Sequence, residues 1–124
     1  MITLSNSIHL YARPDTKERL LEFFTTMLGL EAVTSSDAVG NLEPIYAFKF
    51  SNGASLSVEF TEEALSDQQA ERGAWLELGT DDAVGLRQKV QAFGLPRVVH
   101  PYTPFFYIQA PGGQVFRIVS SEER

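Results

Sequence analysis

The sequence predicts an α+β fold: two βαβββ modules forming a curled mixed sheet around one pocket, with the helices outside. Three observations carry this reading. A strand-like alternation is followed by an amphipathic helix and three further strands, that order then recurs, and glycines end helices and turns at matching points of both halves.

In the first half, Ser7-Ile8-His9-Leu10-Tyr11-Ala12 alternates polar and apolar residues, as a half-buried strand does. Pro14 interrupts it, and Asp15 with Glu18 three residues on has the spacing of a capping box, so a helix is expected from there. Leu20, Phe24, Met27 and Leu28 then share one helical face, and Gly29 is placed to stop the helix. A strand is expected over residues 30–33 and a Ser/Asp/Gly/Asn-rich loop over 34–41. Strands over 45–50 and 54–60 flank a turn at Ser51-Asn52-Gly53, where Asn52 and Gly53 both tolerate positive φ.

Residues 61–72 are polar and read as a linker with room for a short helix. The chain is expected to be one domain over 1–124, with modules of about 1–60 and 73–120. In the second module a strand over 74–79 leads to a helix capped by Thr80 or Asp81, with Leu86, Val90 and Phe93 on one face and Gly94 at its end. Strands over 97–99, 105–109 and 114–119 follow, the last two joined by Pro111-Gly112-Gly113. Gly29-Leu30-Glu31-Ala32-Val33 answers Gly94-Leu95-Pro96-Arg97-Val98, which points to internal duplication.

Composition narrows the chemistry. With no cysteine, disulfides, thiolate catalysis and cysteine-based zinc sites are all excluded, which fits a reducing cytoplasm. The net charge of −6, without a Lys/Arg cluster, argues against nucleic-acid binding. No apolar run is long enough to span a membrane, and residues 1–6 lack the basic and apolar regions of a secretory signal, so none is expected.

Alternation also sorts the side chains by face. If Ile8, Leu10, Leu56, Val58, Phe60, Leu76, Leu78, Phe116 and Ile118 pack against helices, the other face carries His9, Tyr11, Glu59, Trp75, Glu77 and Arg117, together with Ser57, Val115 and Val119. Polar and aromatic residues gathered on a concave face mark small-molecule sites, although antiparallel sheets often leave one face wet.

Ile8-His9-Leu10, the helix end Phe23-Phe24-Thr25-Thr26-Met27-Leu28-Gly29 and the segment Pro111-Gly112-Gly113-Gln114-Val115-Phe116-Arg117-Ile118-Val119 resemble motifs of the vicinal oxygen chelate superfamily. That superfamily includes glyoxalase I, bleomycin resistance proteins and extradiol dioxygenases. The resemblance covers almost the whole chain, with Ala110 where Asp is usual. It implies paired βαβββ modules, frequent dimerisation and, in metal-binding members, ligands from the first and last strands of each module. Carried over by position, His9 and Glu59 match ligands, whereas Trp75 stands where His is usual and Arg117 where Glu is usual. Indole has no ligating lone pair and a guanidinium repels a cation, so no catalytic metal is expected. His100, before Pro101, is expected to be an exposed loop residue and a poor replacement.

The expected function is therefore metal-free binding of an aromatic or amphipathic small molecule, without cofactor, by a cytoplasmic homodimer that contacts neither nucleic acid nor membrane. His9, Tyr11, Glu59, Trp75, Glu77 and Arg117 are the candidate ligand-binding residues. The alternative is a divergent lyase, isomerase or dioxygenase acting through His9 and Glu59, with histidine as the acid–base group. Two roles stay open: Arg117 either pairs with Glu59 or clamps an anionic ligand, and Trp75 either fills space or offers a stacking platform. In the run from Pro101 to Tyr107, Phe105 and Tyr107 should face one way and Phe106 the other.

Overall fold

A computed structural model describes residues 1–35 and 44–122. Most of the expected loop at 34–41 therefore lies outside the described residues. The chain divides into two units, Met1–Ala64 and Leu65–Arg124.

The first unit contains β1 (Ser7–Ala12), α1 (Lys17–Glu22), β2 (Ala32–Ser35), β3 (Ile45–Lys49) and β4 (Ser55–Phe60). Its sheet runs in the order β1-β4-β3-β2, with β1 parallel to β4 and the other pairs antiparallel. The entry to α1 differs from the sequence expectation. No side chain caps it, and Asp15 lies inside a 3-10 turn, Pro14–Thr16. Pro14 explains this: it opens the turn without an N–H to satisfy, and Thr16 closes it by donating N–H and Oγ–H to the Arg13 carbonyl at 3.0 and 2.7 Å.

The helix ends in a π turn, Phe23–Met27, before Gly29 takes φ 73°. The wider turn rotates the apolar face. Phe23 and Phe24 are buried beside Leu20, while Met27 and Leu28, expected on that face, are only half-buried. Phe24 stacks on Phe48 of β3 with ring centroids 4.7 Å apart, and Phe48 lies in register with buried Leu56. This fixes the helix side of the sheet. At the β3–β4 turn Gly53 alone takes positive φ; Asn52 instead accepts the Ala54 N–H through its side chain at 3.1 Å.

The second unit contains α2 (Asp67–Ala70), β5 (Trp75–Thr80), α3 (Ala83–Ala92), β6 (Arg97–Val98), β7 (Tyr107–Gln109) and β8 (Val115–Ser120). Its sheet order, β5-β8-β7-β6, repeats the first, again with the first and last strands parallel. Asp82, not Thr80 or Asp81, caps α3, its Oδ1 accepting the Gly85 N–H at 2.9 Å. Thr80 remains in β5 and accepts the Asp82 N–H at 3.2 Å, which delays the helix. Val90 is its fully buried contact, and Gly94 ends it at φ 91°. Strand β7 is shorter than expected because the residues before it follow Pro101 and Pro104, which have no N–H for a ladder.

α2 begins with a complete capping box between Ser66 and Gln69. It is tied to the second sheet by Gln109, a buried polar side chain that donates to the carbonyls of Asp67 at 2.5 Å and Gly113 at 3.1 Å. The β7–β8 turn runs beneath α2, and Gly113 adopts φ 105° with space for no Cβ, which would lie 2.9 Å from the Ala70 methyl. No helix among the described residues is long and apolar enough to cross a membrane.

Gly113→Ala combines a left-handed backbone with that clash, so chemical denaturation should show a loss of about 1–3 kcal/mol. An unchanged midpoint would contradict the packing of α2 on this turn.

Candidate functional site

The parallel register of the first unit aligns His9 with Ser57 and Tyr11 with Glu59 on the face opposite α1. His9 Nδ1 lies 2.7 Å from Ser57 Oγ, and its Nε2 lies 3.6 Å from Glu59 Oε1. The Tyr11 ring meets the imidazole edge-on, with centroids 5.0 Å apart. The side chains of His9 and Glu59 remain 37% and 43% exposed, so small molecules can reach them.

The second unit arranges its open face differently. Glu77 and Arg117 are register partners, and the Arg117 guanidinium donates Nη1–H to Glu77 Oε2 at 3.1 Å. Phe105 covers the guanidinium at 3.6 Å from its ring centroid. Arg117 Nε is buried and donates to no acceptor among the described residues. A buried donor of this kind costs roughly 1–3 kcal/mol until an acceptor arrives. Along the same face Trp75 contacts Tyr107 and His100, with ring centroids 5.3 and 5.5 Å away, and stays 45% exposed. Tyr107 is 1% exposed, and Thr103 Oγ1 lies 3.1 Å from its hydroxyl.

The six residues expected from sequence thus form two groups: His9, Tyr11 and Glu59 on one unit, Trp75, Glu77 and Arg117 on the other. Each acidic partner comes from within the unit. The carboxylate on Arg117 is Glu77 rather than Glu59, because parallel pairing of β5 with β8 sets the two side chains side by side. His100 is half-buried in ring contacts, not an exposed loop residue, since the segment after β6 folds back over β7. Val115 and Val119, expected on an open face, are 4% and 1% exposed, and Val115 packs with Val98 and Tyr107. Phe105 and Phe106 do point opposite ways: Phe106 lies under Arg97, with 4.6 Å from guanidinium carbon to ring centroid.

Ser57 was not singled out for chemistry, although alternation alone set it on the same face as His9; its contact depends on register, which a strand pattern does not report. Tyr107 and Phe105 belonged to a visible aromatic run, but which face each joins required the position of β7.

His9 and Glu59 of the first unit are an imidazole and a carboxylate, whereas Trp75 and Arg117 of the second are an indole and a guanidinium. No group of three or more His, Cys, Asp or Glu side chains suited to a metal ion occurs among the described residues. Neither an indole nor a guanidinium ligates a divalent cation, which takes imidazole, carboxylate or thiolate.

No protein-family model matches the chain, and a search of curated proteins gives no match. Solved structures do resemble it. A fosfomycin resistance protein, FosX, from Listeria monocytogenes, solved with Mn(II) and sulfate, superposes with a TM-score of 0.71 at 15% identity, covering 100% of this chain and 98% of its own. A glyoxalase family protein from Bacillus anthracis gives 0.71 at 15% identity, covering 97% and 96%. An antibiotic binding protein from a Streptomyces species gives 0.64 at 16% identity, covering 96% of each chain.

His100→Ala removes one ring beside Trp75, the only tryptophan, so its fluorescence emission should move to longer wavelength as water gains access. An unchanged spectrum would argue against this contact.

Proposed function

Starting from a chain that has the two-module fold of the vicinal oxygen chelate (glyoxalase/bleomycin resistance) superfamily, we propose that it binds an aromatic or amphipathic small molecule without a catalytic metal. Its neighbours by fold include both metal-containing and antibiotic-binding proteins, so the fold alone leaves that choice open. The residues of this chain favour binding.

The observation that carries the proposal is the environment of Arg117. The guanidinium is held on one side by Glu77 and under one face by Phe105, yet its buried Nε is left without an acceptor. A ligand oxygen meeting the part of the Arg117 side chain that stays exposed would accept a charge-assisted hydrogen bond worth roughly 1.5–3 kcal/mol. Trp75, exposed on the same face, offers an apolar surface on which a ring can stack. The acid–base alternative through His9 and Glu59 draws on their 3.6 Å contact, which lies on the other unit.

A probe combining both features is anilinonaphthalene sulfonate, which carries fused rings and an anionic oxygen group. Titration should quench Trp75 saturably, and Arg117→Met should weaken binding about tenfold or more. Absence of quenching, or equal affinity in the variant, would count against the proposal. Separately, protein purified without a His-tag should contain far less than one equivalent of zinc, nickel, iron or manganese by elemental analysis. A stoichiometric metal would overturn the metal-free part.

A further inference from the structure

We propose that Ser57, His9 and Glu59 form a nucleophilic triad on the first unit that transfers acyl groups from activated esters to water. The proposal is independent of the ligand face built around Arg117.

Glu59 Oε1 lies 3.6 Å from His9 Nε2, beyond a hydrogen bond but close enough for its negative charge to favour the tautomer with the hydrogen on Nε2. In that tautomer Nδ1 keeps its lone pair, and the Ser57 hydroxyl 2.7 Å away can donate to it. The other acceptor near Ser57 Oγ, the Ile8 carbonyl, is at 3.5 Å, the far limit of a hydrogen bond. A hydroxyl on one imidazole nitrogen, with a carboxylate close to the other, is the arrangement that activates a serine. Tyr11 limits rotation of the ring by its edge contact. The 37% exposure of the His9 side chain leaves room for a substrate to approach.

The same sheet sets the substrate class. β4 is paired on both sides, with β1 and β3, so the backbone amides around Ser57 are committed to the ladders. Among the described residues no amide pair beside Ser57 is free to stabilise a tetrahedral oxyanion, a contribution worth about 10²–10³ in rate per donor. The reaction therefore needs an ester whose leaving group departs easily, such as an aryl ester. Ser57 Oγ bonds to the acyl carbon as its proton passes to His9 Nδ1. The bond to the aryl oxygen breaks, and the aryloxide leaves with the electron pair and takes the proton. Water then attacks the acyl-serine, losing a proton to Nδ1. Collapse returns that proton to Ser57 Oγ and releases the carboxylic acid. The sum is ester plus water giving acid plus phenol.

Two experiments on the full chain test this. A fluorophosphonate probe should form one adduct, mapped by peptide mass spectrometry to Ser57, with labelling at least about 100-fold slower in His9→Gln. Glu59→Gln, removing a positioning residue, should slow the limiting labelling rate about tenfold while leaving the half-saturating probe concentration unchanged. No adduct at Ser57, or equal labelling in His9→Gln, overturns the proposal. The second experiment uses the absence of cysteine from this chain. Ser57→Cys introduces a single thiol, and next to His9 it should react with iodoacetamide at least about tenfold faster than in the Ser57→Cys, His9→Gln double variant. Equal rates in two variants with native circular dichroism also overturn it.

Discussion

In each unit the first strand lies parallel to the last, and the polar contacts of the open faces follow from the register of that pair. Parallel neighbours cannot be joined by a tight turn, so the chain must cross over through a helix and two further strands before the ladder closes. The helix covers one face of the sheet. The other face is left with cross-strand partners that are far apart in sequence but adjacent in space: His9 with Ser57, Glu77 with Arg117.

Duplicated architecture has not produced duplicated chemistry. The first unit presents an imidazole between a hydroxyl and a carboxylate, open to water. The second presents a guanidinium against a carboxylate, with Phe105, Tyr107 and His100 drawn over the sheet. The difference begins in the connection before the second-last strand. In the second unit that segment carries Phe105, which covers Arg117, and leads into Tyr107, which packs on Val115. Burial strengthens the guanidinium's electrostatic interactions while making its unused donor costly.

Helix boundaries show how local chemistry can mislead by a residue or two. Asp15 and Glu18 had the spacing of a cap, but a proline at the first helical position made that cap unnecessary. Thr80 and Asp81 preceded the second helix, yet Asp82 caps it because β5 extends through Thr80. The π turn at Phe23–Met27 was invisible to a 3.6-residue pattern, and it replaced Met27 with Phe23 in the core.

The sequence by itself determined the duplicated strand–helix–three-strand order, the helix-ending glycines at 29 and 94, and which of His9, Tyr11, Glu59, Trp75, Glu77 and Arg117 face away from the helices. Those properties depend on local periodicity and backbone sterics, which neighbouring residues encode. Only tertiary structure decided the partnerships: Glu77 rather than Glu59 on Arg117, Ser57 against His9, and His100 beside Trp75. Those depend on strand register and on the path of a loop. Both are set by contacts between residues tens of positions apart, where no sequence period extends.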